Sequence, residues 1–182
     1  MTTQLSELSG PLHIDYLVAP LGGKIAMTHC PGRNTVDARG RQWQRILSDD
    51  LATIQSANVS TVVSLISLSE MKKLGVPDLP AQVMQHKLQW LQLVIEDFGT
   101  PDLNAFESWQ QIKETILAAL ARRETVLLHC AAGLGRTGMM AACLLVACGQ
   151  TPASAIEQVR AARPGTIETE AQAAFIQDAR QG

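Results

Sequence analysis

The stretch LLHCAAGLGRTGMMAACLLV, residues 127–146, admits two incompatible readings. From Gly133 onward, G-L-G-R-T-G fits the G-x-G-x-x-G fingerprint of a dinucleotide-binding turn, set between an apolar strand and an apolar helix as that motif requires. From Cys130 onward, the same letters spell C-x5-R, a thiol and a guanidinium sharing one phosphate-sized loop. A dinucleotide turn normally follows the first strand of its fold, and an acidic residue about 20 positions later ends the second strand. Here the fingerprint starts at position 133 of 182. The acidic residue near the right distance, Glu157, falls inside a helical pattern, and no strand pattern follows Cys148. The dinucleotide reading fails on context.

The thiol reading gives every part of the stretch a physical job. Of the four cysteines, only Cys130 has an arginine six positions on. Gly133 and Gly135 let successive backbone N–H groups turn inward as an anion-binding nest across Ala131, Ala132, Gly133, Leu134 and Gly135. The N-terminus of the following helix adds donors and a positive dipole end. Arg136 offers a planar fork for two phosphate oxygens. The same field favours the thiolate, so Cys130 is expected to act as a nucleophile near neutral pH, in line with a bound phosphate's leaving group. A buried structural cysteine is the bland alternative.

Composition narrows the setting. A chain of 182 residues suits one domain with a real core, residues 1–182 with a core of about 12–180. A net charge of −2 and a pI near 6.1 give no reason to expect nucleic acid as a partner, so any phosphate is bound locally. The opening MTTQLSELSGPLHI lacks the basic start and long apolar core of a signal peptide. The apolar run Met139 to Cys148 is too short for a bilayer, which takes about 20 residues. Four scattered cysteines without an export signal read as reduced thiols, so a soluble, cytoplasmic protein with no membrane contact is expected. The dipeptides His29-Cys30 and His129-Cys130 raise a zinc site, but neither carries the paired short spacings that would support one.

Strand and helix patterns alternate along the chain. Strands are predicted at IDYLVAP, KIAMTH, Thr61–Ile66, LQWLQLVI ending at Ile95, and Thr125–His129. Helices are predicted from about Gln42 to Ala57, at SEMKKLG with Ser69 as cap and Gly75 as stop, from about Asp102 to Arg122, and over Met139–Cys148. Two more fit TPASAIEQVRAAR, with Thr151 capping and Pro152 first, and ETEAQAAFIQDAR. The alternation predicts an α/β fold in three layers, a central mostly parallel sheet flanked by helices. Ligands of such folds bind at the strands' carboxyl ends, where Asp97 and Cys130 both fall.

HCAAGLGRTG resembles the signature loop H-C-x5-R-[ST] of the cysteine-dependent dual-specificity protein phosphatases. EDFGTPD resembles that family's mobile acid loop, and ETEAQAAFI its glutamine-bearing segment. SLSEMKKLGVPDL, GTPD and HCAAGLGRTGMMAACLLV follow in the order seen in the kinase-associated phosphatase branch and its bacterial relatives, a likeness covering roughly Cys30 to Ile176. The resemblance implies a metal-free, cofactor-free phosphatase working through a cysteinyl-phosphate intermediate, a monomer acting on phosphorylated protein.

The resemblance also assigns roles. Asp97 is the family's general acid, needed because an alkoxide or phenoxide leaves far more easily when protonated. Glu96 and Asp102 are its rivals, although Asp102 is more simply a helix N-cap. His129 fixes the geometry of Cys130, Thr137 donates to the departing sulfur, and Gln172 positions the hydrolytic water; each also has an ordinary structural reading as strand-end histidine, first-turn threonine or surface glutamine. The loop interior carries no Lys or His, unlike phosphoinositide-directed relatives, which favours phosphoprotein. No tyrosine-bearing loop deepens the pocket, so phosphoserine and phosphothreonine are expected to enter as well as phosphotyrosine. The alternatives are a phosphate-binding interaction module, disfavoured by the presence of Cys130, Arg136 and Asp97 together, and a phosphatase of non-protein phosphomonoesters.

Overall fold

A computed structural model describes residues 7–179. Its centre is β5 (Thr125–His129), whose five residues are all buried, as an apolar strand walled by neighbours on both edges must be. β5 lies between β2 (Lys24–Thr28) and β3 (Val59–Ser64), and the sheet runs β1-β2-β5-β3-β4. β4 (Gln89–Gln92) is parallel to β3, while β1 (Asp15–Val18) is antiparallel to β2, so the sheet is mixed with one antiparallel edge. His129 pairs with Thr28 on one side and Ser64 on the other, so three parallel strands end at the same level. Cys130 leaves the sheet from that line of carboxyl ends.

Helices flank the sheet. α1 (Leu47–Ser56) packs on β3, α2 (Leu68–Lys73) and α3 (Leu79–Gln85) follow β3, and α4 (Leu103–Ala121) packs on β5. α5 (Gly135–Ala147) is buried at every residue from Gly135 to Val146, against β2, β5, α6 (Pro152–Ala162) and α7 (Glu170–Asp178). A helix apolar all round has to be buried on all sides. The caps at Asp102 and Thr151 are as predicted: Asp102 accepts from the Ala105 N–H and Thr151 from the Ser154 N–H.

Three local expectations need correction, and one short helix, α3, was not predicted. The helix predicted from Gln42 starts at Leu47, because residues 42–45 spend their backbone groups elsewhere: Gln42 bridges Val36, and the Trp43, Gln44 and Arg45 N–H groups donate to Thr35, Leu8 and Arg33 carbonyls. The cap of α2 is Ser67 rather than Ser69, its hydroxyl accepting from the Glu70 N–H at 3.1 Å. α3 carries only two buried side chains, Leu79 and Val83, too short a stripe to show as periodicity. β4 stops at Gln92, although the Leu93 and Ile95 N–H groups still donate to Ser64 and Leu65. Gly75 ends α2 with φ +79°, as predicted, and Arg180 of the last helical pattern lies outside the described residues.

Candidate active site

The loop between β5 and α5 folds back on its own thiol. The Gly133 N–H points at Cys130 Sγ, 3.2 Å away. The turn that aims it requires φ +71° at Gly133, where a Cβ would lie 2.3 Å from the Thr28 carbonyl oxygen. Glycine is thus demanded twice, by the backbone angle and by the approach of β2. Cys130 and Arg136 are almost wholly buried, and α5 begins at Gly135, so its first N–H groups open onto the same loop.

His129 is fully buried, and burial, aided by the positive charge of Arg136, pushes its pKa down to about 4. A neutral ring carries one proton. Because the Cys130 carbonyl can only accept, Nδ1 donates to it (3.2 Å) and Nε2 accepts from the Ser64 hydroxyl (2.6 Å). Trp90 Nε1 in turn donates to Ser64 Oγ at 3.0 Å. This chain of donors fixes the backbone that carries the thiol. Thr137 is buried in the first turn of α5, and its Oγ1 has no protein partner among the described residues.

Arg136 is held from three sides. Its Nη1 and Nη2 donate to the two carboxylate oxygens of Glu70 at 2.9 and 2.8 Å, Nη1 also donates to the Ile95 carbonyl, and Nη2 lies 3.0 Å from Asp97 Oδ1. Burial opposes the charge, but the hydrogen bonds to Glu70 and the neighbouring negative groups outweigh it and strengthen its hold on the proton. Asp97 itself is 61% exposed. Of its rivals, Asp102 caps α4, and Glu96 makes no ion pair among the described residues.

Gln172 is fully buried rather than on the surface. Its Oε1 accepts from the Glu168 and Thr169 N–H groups, and its Nε2 donates to the Gly99 carbonyl at 3.2 Å. Thr169 Oγ1 donates to the Phe98 carbonyl, so the segment opening α7 holds the loop just after Asp97, where Phe98 sits at φ +58°. The Gln172 amide also borders the loop between β5 and α5, 3.0 Å from where a Cβ on Gly135 would stand.

All six residues singled out in the sequence are therefore gathered around one loop. Two carboxylates escaped notice. Glu70 sits 66 residues from the arginine it orients and reads locally as an ordinary first-turn acid. Glu168 Oε2 would lie 2.5 Å from a Cβ on Gly135, and nothing in its local pattern marks it. A cavity of about 350 Å³ bordered by Trp109, Cys143 and Phe175 touches none of these residues. Among the described residues no three His, Cys, Asp or Glu side chains are grouped as a metal site needs.

A family model described as "PTP-SAK: Swiss Army Knife protein, DSP-PTPase phosphatase domain" matches residues 40–176. The chain belongs to this dual-specificity phosphatase family. Cyclin-dependent kinase inhibitor 3 of Rattus norvegicus is 30% identical over 159 residues, 86% of this chain and 71% of the rat protein. The Homo sapiens protein is 28% identical over 176 residues, 93% and 79% of the two chains. A crystal structure of kinase associated phosphatase, with its catalytic-site cysteine replaced by serine, superposes with a TM-score of 0.82 at 26% identity over 94% of this chain and 96% of that one. The five-stranded mixed sheet flanked by helices is the fold of this family, and the chain is a cysteine-dependent dual-specificity phosphatase.

Proposed function

We propose that this dual-specificity phosphatase, a single catalytic domain, hydrolyses phosphotyrosine, phosphoserine and phosphothreonine monoesters on proteins, with Cys130 as nucleophile. The observation that carries the reading is the thiol facing an inward N–H at 3.2 Å in a loop closed by Arg136, with Asp97 on the same guanidinium. In the first step Cys130 Sγ forms a bond to phosphorus as the ester P–O bond breaks, and Asp97 gives its proton to the departing oxygen. The loop N–H groups of Ala131 to Gly135 and the Arg136 fork carry the charge on the equatorial oxygens. In the second step water attacks phosphorus, Asp97 takes up its proton, and the S–P bond breaks. Thr137 donates to the released sulfur, and Gln172 orders the water from its place beside Gly135. Neutral His129 keeps the backbone of Cys130 still throughout.

Protein-borne substrates are supported by the relatives named cyclin-dependent kinase inhibitor 3 and kinase associated phosphatase. Action as a cytoplasmic monomer is part of the proposal, and no helix among the described residues is long and apolar enough to cross a membrane. The test is phosphate release from an aryl phosphate and from phosphopeptides, with a metal chelator present, by the wild type and by Cys130→Ser. Turnover should vanish in the variant while phosphate-mimic binding persists, because a serine hydroxyl keeps the shape without being ionised. Substantial turnover in Cys130→Ser would end the thiol mechanism. Capture of phosphoproteins on the inactive variant then names the substrate.

A further inference from the structure

The phosphate loop is gripped from behind by two arginines that the chemistry above does not use. Arg33, in the β2–α1 loop, donates through Nη1 to the Ala131 carbonyl at 3.3 Å. Arg163, just past α6, donates through Nη2 to the Ala132 carbonyl at 3.3 Å and through Nε to the Gly133 carbonyl at 2.7 Å. Three consecutive carbonyls of one loop are thus tied by two side chains that come from opposite ends of the sequence.

Peptide planarity turns this into a statement about the anion site. In a trans peptide the carbonyl of one residue and the N–H of the next point in opposite directions. Tying the Ala131, Ala132 and Gly133 oxygens on the outer side therefore aims the Ala132, Gly133 and Leu134 N–H groups at the inner side. The middle of the three can be checked directly: the Ala132 oxygen is held by Arg163, and the Gly133 N–H faces Cys130 Sγ at 3.2 Å.

Both arginines are seated for a fixed task. Arg163 is 4% exposed, and its Nη1 is anchored on Asp15 of β1 at 2.7 Å. Arg33 is 8% exposed and lies over Trp43, its guanidinium carbon 4.3 Å from the ring centroid. Arg33 forms no ion pair among the described residues, and its Nε is buried without a protein partner. A buried guanidinium that leaves a donor unsatisfied is costly, and a fold that needed only packing at this place would be served by an apolar side chain.

We propose that Arg33 and Arg163 are positioning residues for the phosphatase reaction, a clamp that holds the Cys130 loop in its anion-binding form before substrate arrives. The inference rests on the assignment of the Cys130 loop as the phosphate site. Preorganised donors act chiefly on the transition state, since they need no reorganisation when charge develops. Loosening the clamp should therefore lower kcat more than it raises KM, and should weaken vanadate, which takes up the bipyramidal shape, more than phosphate.

The experiment compares the full chain with Arg33→Gln, Arg163→Lys and Asp15→Asn by calorimetric titration with vanadate and with phosphate, by kcat and KM on an aryl phosphate, and by thermal midpoint. Arg163→Lys keeps the charge but cannot reach two carbonyls from a planar fork. Arg33→Gln and Arg163→Lys should each weaken vanadate about tenfold, the worth of a hydrogen bond or so, with a smaller loss for phosphate. Asp15→Asn only loosens the anchor of Arg163 from a partly exposed position, so it keeps the test alive if the arginine variants do not fold; a severalfold loss of vanadate affinity is expected. Folded variants with wild-type vanadate affinity and kcat, whatever their thermal midpoints, would overturn the clamp. A wild type that binds vanadate but releases no phosphate would instead sink the phosphatase reading, and the titrations would still decide the clamp.

Discussion

Asp97 is placed to do two opposed things, and its replacement should separate them. Its carboxylate lies 3.0 Å from Arg136 Nη2, on the fork that has to receive a phosphate oxygen. On the proposed mechanism, substrate entry exchanges one anion for another on that nitrogen, and Asp97, once freed, takes up a proton from solvent and serves as the acid. The ion pair is worth little, because the carboxylate is 61% exposed and solvent screens it. Exposed pairs contribute about 0.2–1 kcal/mol, so Asp97→Asn should tighten inorganic phosphate binding by at most about fivefold. Loss of the proton donor works the other way. General acid catalysis contributes about 10²- to 10⁴-fold, and the full loss should fall on phosphothreonine peptides, whose alkoxide leaves badly without a proton. A nitrophenyl phosphate, with a good leaving group, should be slowed far less. The assay is steady-state phosphate release from both substrates, with inorganic phosphate as competitive inhibitor, for wild type and variant. Glu96→Gln and Asp102→Asn serve as controls, asparagine keeping the cap of α4. Equal slowing of both substrates with an unchanged inhibition constant would refute the reasoning, and Glu168→Gln would then be the next variant to make.

Glu70→Gln should lower kcat/KM about tenfold or more, since the buried Arg136 loses both charged hydrogen bonds that set its plane; kinetics like the wild type would mean that Ile95 and the loop suffice to hold it. Gly133→Ala should cost well over the roughly 1–3 kcal/mol of a strained backbone angle, because its Cβ would strike the Thr28 backbone; urea unfolding within error of wild type would contradict the close approach. Stability should fall as the solution is acidified below about pH 6.5. Burial depresses His29 to about 3 and His129 to about 4, so the unfolded chain takes up protons that the folded chain refuses, and stability present above 6.5 is lost as pH falls towards those values. For His129 the drop corresponds to roughly 3 kcal/mol at about 1.36 kcal/mol per unit, and a urea midpoint unchanged between pH 7 and 4.5 would show that these rings are not held neutral.

The stretch from Thr125 to Ala147 was legible because strand, loop and helix are contiguous and each is written in local terms: an apolar strand, glycines where the chain must turn sharply, and an apolar helix. Caps at Asp102 and Thr151 were legible for the same reason, each satisfying an N–H three residues away. What the sequence left open was decided by hydrogen bonds that span long loops. Residues 42–45 have helical spacing but form no helix, because the Trp43, Gln44 and Arg45 N–H groups find partners at Thr35, Leu8 and Arg33. Glu70 orients Arg136 across 66 residues, and Gln172 meets Gly99 across 73. Such pairs leave no periodicity, since a side chain's distant partner imposes nothing on its neighbours in sequence. The local pattern determined where Cys130 would emerge at the end of β5, while the folding of α2 and α7 around it decided which groups hold Arg136 and the backbone just after Asp97.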